Sequence, residues 1–179
     1  MALPSLTSLA KVASISSSGI FAGYASALSD AALTAILMAP DEATMAKQWR
    51  IQFLKGFQIA MPATIINILS WSYLAYTAKT SFVQKLFIAA TLMTGCGTAF
   101  AWTALRYING ALSIKADKLA GGSEKQSYVI RYSLADKGTK KLEESCSTKE
   151  LAIRWKQYNA LRCVVLVMGT VVGAYALSL

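Results

Sequence analysis

Four stretches of the chain are almost free of charge, and polar connections separate them. They run from about Val12 to Met38, Phe57 to Ala78, Leu86 to Ile108, and Asn159 to Leu179. The second has no charged residue, the third only Arg106 near its end, and no charge follows Arg162. About 20 helical residues cross a hydrocarbon core. The pattern therefore predicts an all-α fold: a four-helix transmembrane bundle forming one integral membrane domain over residues 1–179. The last span reaches full length by continuing a helix that starts before Trp155, with Ser147 or Thr148 as its cap. The first contains Asp30 and is rich in Ser, Ala and Gly. Only Lys11 precedes it, Ser14, Ser16, Ser17 and Ser18 interrupt it, and it is too long for a cleaved leader's apolar core, so it reads as a retained helix.

The connections set the orientation. Residues 109–156 are polar and mixed in charge, and read as a cytosolic connection between helices 3 and 4, with a flexible turn at "LAGGSEKQ". Lys and Arg favour the cytosolic side. Lys47, Arg50 and Lys55 lie between the first two spans, and Lys115, Lys118, Lys125, Arg131, Lys137, Lys140, Lys141, Lys149, Arg154 and Lys156 between the last two. The other side has Lys11, Lys79 and Lys85, so both termini are expected to face the lumen or exterior.

Composition agrees with a membrane class. At 55% apolar residues and a mean hydropathy of +0.43, the chain exceeds the usual soluble range. A net charge of +9 raises nucleic acid as a partner, but the basic residues are dispersed and no recognition motif accompanies them. Histidine is absent, which removes Ser-His-Asp and Cys-His nucleophiles, His-ligated haem and Glu-x-x-His di-iron sites. Cys96, Cys146 and Cys163 form no CxxC pair and are expected to be reduced; Cys96 and Cys163 fall in or beside apolar runs, where burial is expected, and no metal site is expected. Gly19 with Gly23, Gly95 with Gly97, and Gly169 with Gly173 would let helices approach closely, with packing inside the bundle favoured and helix–helix self-association the alternative.

Polar residues recur at the cytosolic helix ends. Trp155, Asn159 and Arg162 share a helix face, and Trp102, Arg106 and Asn109 repeat the set with Asn and Arg exchanged. The topology brings these to the depth of Asp30. An ionised group within a span costs several kcal/mol unless paired or wetted. Asp30 is therefore expected to be buried against Arg106 or Arg162. Arginines and tryptophans at helix ends also serve as interface anchors, but an aspartate is too short to snorkel two turns.

A family resemblance arises at these same residues. The tail "LAIRWKQYNALRCVV" resembles the L-x3-W-x3-N-x2-R tail of the DUF1772 membrane proteins, the family of fungal anthrone oxygenases. "AKQWRIQFLKGFQIAMPATIINILSWSYLAY" is similar to that family's Gln-Trp segment and small-residue second helix. "TALRYINGAL", with Thr103, Asn109 and Leu112 in matching places, resembles its third-helix end, and "GIFAGYASALS" its first helix. The likeness runs in order over nearly the whole chain. It departs at Pro40, which comes later than the family's proline, and at a third-helix end poorer in proline.

The resemblance implies an endomembrane protein, of the endoplasmic reticulum or a related compartment, in fungal aromatic polyketide biosynthesis. Such a protein oxidises an anthrone to an anthraquinone with O2 as co-substrate and no established metal or flavin. That chemistry asks for an apolar slot, a base, and cationic or hydrogen-bonding groups at the developing oxyanion. Asp30 is the expected base; Arg106, Arg162, Asn109 and Asn159 would stabilise the enolate; Trp49, Trp102 and Trp155 would sandwich a flat polycycle. The alternatives are a non-catalytic membrane scaffold or accessory protein of the same family type, and a small transporter, for which no inverted repeat is visible.

Overall fold

The computed structural model describes residues 4–120 and 136–179. Among the described residues the backbone forms six helices and no strand. Helix α1 (Leu6–Leu37) contains a π-helical turn at Leu28–Ala32. It is followed by α2 (Glu42–Thr77), α3 (Ser81–Thr103), α4 (Arg106–Ala120), α5 (Lys137–Ser145) and α6 (Thr148–Ser178). Helices α1, α2, α3 and α6 are long and apolar enough to cross a membrane, in agreement with four spans.

Local chemistry sets the helix ends. The carboxylate of Asp41 starts α2, accepting the Thr44 N–H and the Thr44 hydroxyl, each at 2.8 Å. The Thr80 hydroxyl accepts the Val83 N–H at the start of α3. Ser147 and Glu150 form a reciprocal capping box on α6: the Glu150 N–H donates to Ser147 Oγ at 3.2 Å, and the Ser147 N–H donates to Glu150 Oε2 at 2.7 Å. Between α3 and α4 the N–H groups of Ala104 and Leu105 converge on the Phe100 carbonyl, and the ladder restarts with the Asn109 N–H on Leu105.

Three boundaries differ from expectation. Helix α2 begins at Glu42, so Lys47, Arg50 and Lys55 lie on its first turns rather than in a connection. The third span ends at Thr103, and Arg106 and Asn109 open a new helix. Residues 109–156, expected as a connection, carry most of α4, all of α5 and the start of α6. The turn expected at "LAGGSEKQ" falls, after its first two residues, outside the described residues, as do Lys125 and Arg131.

The chain divides into two compact units, and each long helix contributes residues to both. The first unit comprises the chain up to Tyr24 together with Gln58–Ala99 and Arg162–Leu179. Its polarity is inverted. Ser14, Ser17, Ser18, Thr64, Asn67, Ser70 and Thr94 are buried, whereas Val12, Ile20, Leu69, Leu92 and Val171 are 60–65% exposed. A surface of that kind suits lipid rather than water. The Ser14 hydroxyl donates to the Lys11 carbonyl and the Ser17 hydroxyl to the Ser14 carbonyl. Ser18 reaches Asn67 Oδ1 at 3.0 Å and accepts the Trp71 Nε1–H at 3.2 Å, tying α1 to α2. Interhelical bonds of this type contribute about 0.6 kcal/mol each, at most about 2. Trp71 stacks on Phe87 of α3 and sits against Gly173 of α6, in a core with Leu74, Ala90 and Ala176. Gly97 and Gly169 likewise admit Leu166 and Met93. Intramolecular packing therefore explains Gly97, Gly169 and Gly173. It does not explain Gly19, Gly23 and Gly95, whose missing Cβ positions face open space.

Candidate functional site

The second unit, Ala25–Phe57 with the described part of Phe100–Leu161, holds a connected line of polar and aromatic groups. Asn109 and Ser113 lie one turn apart on α4, and Asp117 lies one turn further. The Trp155 Nε1–H of α6 donates to Asn109 Oδ1 at 2.7 Å. The Ser113 hydroxyl donates to the Asn109 carbonyl. Arg50 of α2 donates Nη2 to the Ser113 carbonyl at 2.7 Å and to Asp117 Oδ1 at 2.6 Å. Trp49, beside it, stacks on Phe53 and meets Trp155 edge-on, with centroids 6.5 Å apart and planes at 83°. Although Trp49 is only 1% exposed, its Nε1–H meets no acceptor among the described residues.

A second arrangement joins α6 to α1. Asn159 is fully buried, and its amide nitrogen donates to Ser29 Oγ at 2.5 Å and to the Ala25 carbonyl at 3.3 Å. The Ser29 hydroxyl also donates to the Ala25 carbonyl, at 2.8 Å. Lys156, one turn before Asn159, donates to Thr34 Oγ1 at 2.9 Å and lies 3.8 Å from Asp30 Oδ1. These contacts flank the π-turn that contains Asp30.

Several expected positions are corrected by this geometry. Asp30 is not buried against an arginine: 91% of its side chain is exposed, and its ion-pair neighbour is Lys156. Arg106 pairs with Asp136 and lies over the Tyr107 ring. Arg162 belongs to the first unit, with its guanidinium 5.2 Å from the centre of the Phe21 ring. The three tryptophans do not form a slot. Trp102 is 46% exposed, while Trp49 and Trp155 pack edge to face on each other, which buries more ring surface than two parallel rings held apart around an empty gap. Asn109 and Asn159 are buried as structural donors and acceptors. Cys146 and Cys163 are buried, Cys96 is exposed, and all three are free thiols.

Sequence reasoning missed Arg50, Asp117 and Lys156 as members of these clusters. The signal for Arg50 was its place directly after Trp49 within a helical run; that for Lys156 was its place three residues before Asn159. An open, shallow groove on the first unit, lined by Ser72, Ala75, Ile88, Thr91 and Leu92, includes none of the candidate residues.

The family model described as anthrone oxygenase matches residues 49–172, more than half of the chain. The match includes Trp49, Arg50, Trp102, Arg106, Asn109, Asp117, Trp155, Lys156, Asn159 and Arg162, and begins after Asp30. No curated protein and no solved structure matches the chain.

Proposed function

This chain belongs to the anthrone oxygenase family, and from that membership we propose that it oxidises a polyketide-derived anthrone to the anthraquinone with O2 in a fungal endomembrane. The overall change converts a ring CH2 and O2 into a ring C=O and H2O. The substrate supplies all four electrons, so the stoichiometry requires no external reductant, and the reaction proceeds without metal or flavin.

Asp30 is the base in this reading. It removes one methylene proton, giving an anion spread over both rings and the ketone oxygen, and the Lys156 ammonium beside the carboxylate faces the developing charge. The anion passes an electron to O2, and the resulting radical and superoxide combine with a proton at that carbon as a hydroperoxide. Loss of the remaining C–H proton with O–O cleavage leaves the carbonyl and releases water. Among the described carboxylates, elimination leaves Asp30 and Glu144, and of these two Asp30 is the one within an apolar span. Asp41 and Glu150 cap helices, Glu42 accepts from Thr148, and Asp117, Asp136 and Glu143 are held in ion pairs with Arg50, Arg106 and Lys118. Asp30 lies inside an apolar helix, and its ion-pair contact with Lys156, at 3.8 Å, is longer than the 2.6 Å of Arg50–Asp117 and the 2.9 Å of Lys118–Glu143. The non-catalytic reading draws on the closed packing of Trp49 against Trp155.

The family match carries the proposal, and purified protein in lipid nanodiscs tests it. With an anthrone under 18O2, wild type should form anthraquinone above the spontaneous rate, with one labelled oxygen entering the product. Asp30→Asn should lower kcat at least about a hundredfold with an unchanged yield of folded protein. Formation only at the spontaneous rate by wild type would overturn the oxygenase reading. A wild-type rate in Asp30→Asn would remove Asp30 as the base.

A further inference from the structure

We propose that Asn159 is a positioning residue: it holds the π-turn Leu28–Ala32 of α1 and so sets the direction in which Asp30 presents its carboxylate. The catalytic consequence rests on the reading of Asp30 as base; the hold on the turn does not.

In a regular α-helix the Ala25 carbonyl would take the Ser29 N–H, four residues on. Here that carbonyl receives two side-chain donors, the Ser29 hydroxyl at 2.8 Å and the Asn159 amide at 3.3 Å. Past it the ladder is irregular, and the Leu33 N–H is shared between the Asp30 carbonyl three residues back and the Leu28 carbonyl five residues back. A serine hydroxyl bonding back to the carbonyl four residues earlier tends to bend a helix, and here the Asn159 amide adds a second donor to the same carbonyl. The wide turn accommodates one extra residue, and one residue is about 100° of helix phase. Leu33 and Ile36 beyond it are buried, while Asp30 within it projects outward. Without the bulge, Asp30 and the residues after it could not all keep these directions.

Asn159 is suited to the task. It is fully buried, its amide nitrogen bridges two groups on one turn of α1, and Trp155 anchors the same stretch of α6 to Asn109. Lys156 takes the other side of the turn through Thr34 and faces Asp30. α6 thus holds α1 before and after the bulge. Burial keeps Asn159 from a substrate and assigns it a role through Asp30.

Two variants test the inference in nanodiscs, Asn159→Leu, which keeps volume and loses the amide, and Ser29→Ala, which removes the bridging hydroxyl. Backbone amides of residues 29–33 should exchange with deuterium roughly tenfold faster in Asn159→Leu, with residues 83–99 unchanged. kcat should fall about ten- to a hundredfold while KM stays within about twofold. Because both residues act on one turn, the double variant should be little worse than Asn159→Leu. Unchanged exchange at 29–33 overturns the hold. Unchanged kcat, alongside an inactive Asp30→Asn, overturns the positioning role. If Asn159→Leu does not fold, Ser29→Ala decides the matter with the same signs at smaller size. If wild type does not oxidise anthrones, only the catalytic reading fails, and exchange still decides the hold.

Discussion

Replacing Gly173 with alanine tests whether Trp71 is as tightly seated as its surroundings indicate. An added Cβ would come within 2.5 Å of Cη2 and 2.9 Å of Cε2 of the Trp71 ring, and closer still to Cζ2. The ring has little freedom to yield. It is fully buried, its Nε1–H is held by Ser18, and its face lies on Phe87 at 5.6 Å between centroids. Overpacking of this kind costs about 1–3 kcal/mol. Alanine also gains about 1 kcal/mol of helix propensity over glycine, which partly masks the clash. Gly23→Ala is the matched control, since its Cβ meets nothing and it receives the same gain. The difference between the variants isolates the clash. At about 2–4 °C per kcal/mol for a chain of this size, Gly173→Ala should melt roughly 2–12 °C below Gly23→Ala. Tryptophan fluorescence during thermal unfolding in one detergent reads both. Midpoints within about 1 °C of each other would refute the packing described for Trp71.

Three further outcomes follow from the second unit. Asp117→Asn leaves the buried Arg50 guanidinium without its ionic partner and should lower stability by about 1–3 kcal/mol, read by denaturant titration in detergent. Trp155→Phe removes the donor to buried Asn109 Oδ1 and should cost a similar 1–3 kcal/mol, more than Trp102→Phe on an exposed ring. Asp41 accepts the Thr44 N–H and hydroxyl, which hold its carboxyl below the usual carboxylate range. Its contribution should be complete above the unfolded-state pKa and disappear as pH falls through the lower folded value. The melting difference between wild type and Asp41→Ala should therefore close on acidification.

What could be read from the chain follows from what each residue pattern reports. The four spans were legible because lipid-facing surfaces are apolar all round, whereas a helix that meets water on one face breaks its apolar run every few residues. The start of α6 was legible for a different reason, since Ser147 and Glu150 have capping-box spacing and Leu151, Trp155 and Asn159 continue on one face. The early start of α2 was hidden because Lys47, Arg50 and Lys55 make an amphipathic helix look like a polar connection. The Arg50–Asp117 pair was hidden because its partners are 67 residues apart, and charge alone does not name a partner. For Asp30, the cost of a charge in lipid correctly demanded a neighbour. It could not distinguish an arginine in a buried pocket from Lys156 on an exposed face, a choice made by the π-turn.

The serines of the first helix bear on the order in which the protein is made. The amino-terminal span leaves the ribosome well before Asn67 and Trp71 exist to receive it. Ser14 and Ser17 need not wait, because their hydroxyls close onto carbonyls of their own helix. The Ser18 contact, by contrast, depends on residues some 50 positions downstream, and the Ser29 contact with Asn159 on one 130 positions downstream. Ser14 and Ser17 can thus enter the bilayer already satisfied, and the bond from Ser18 to the next span becomes a late latch rather than a condition of insertion.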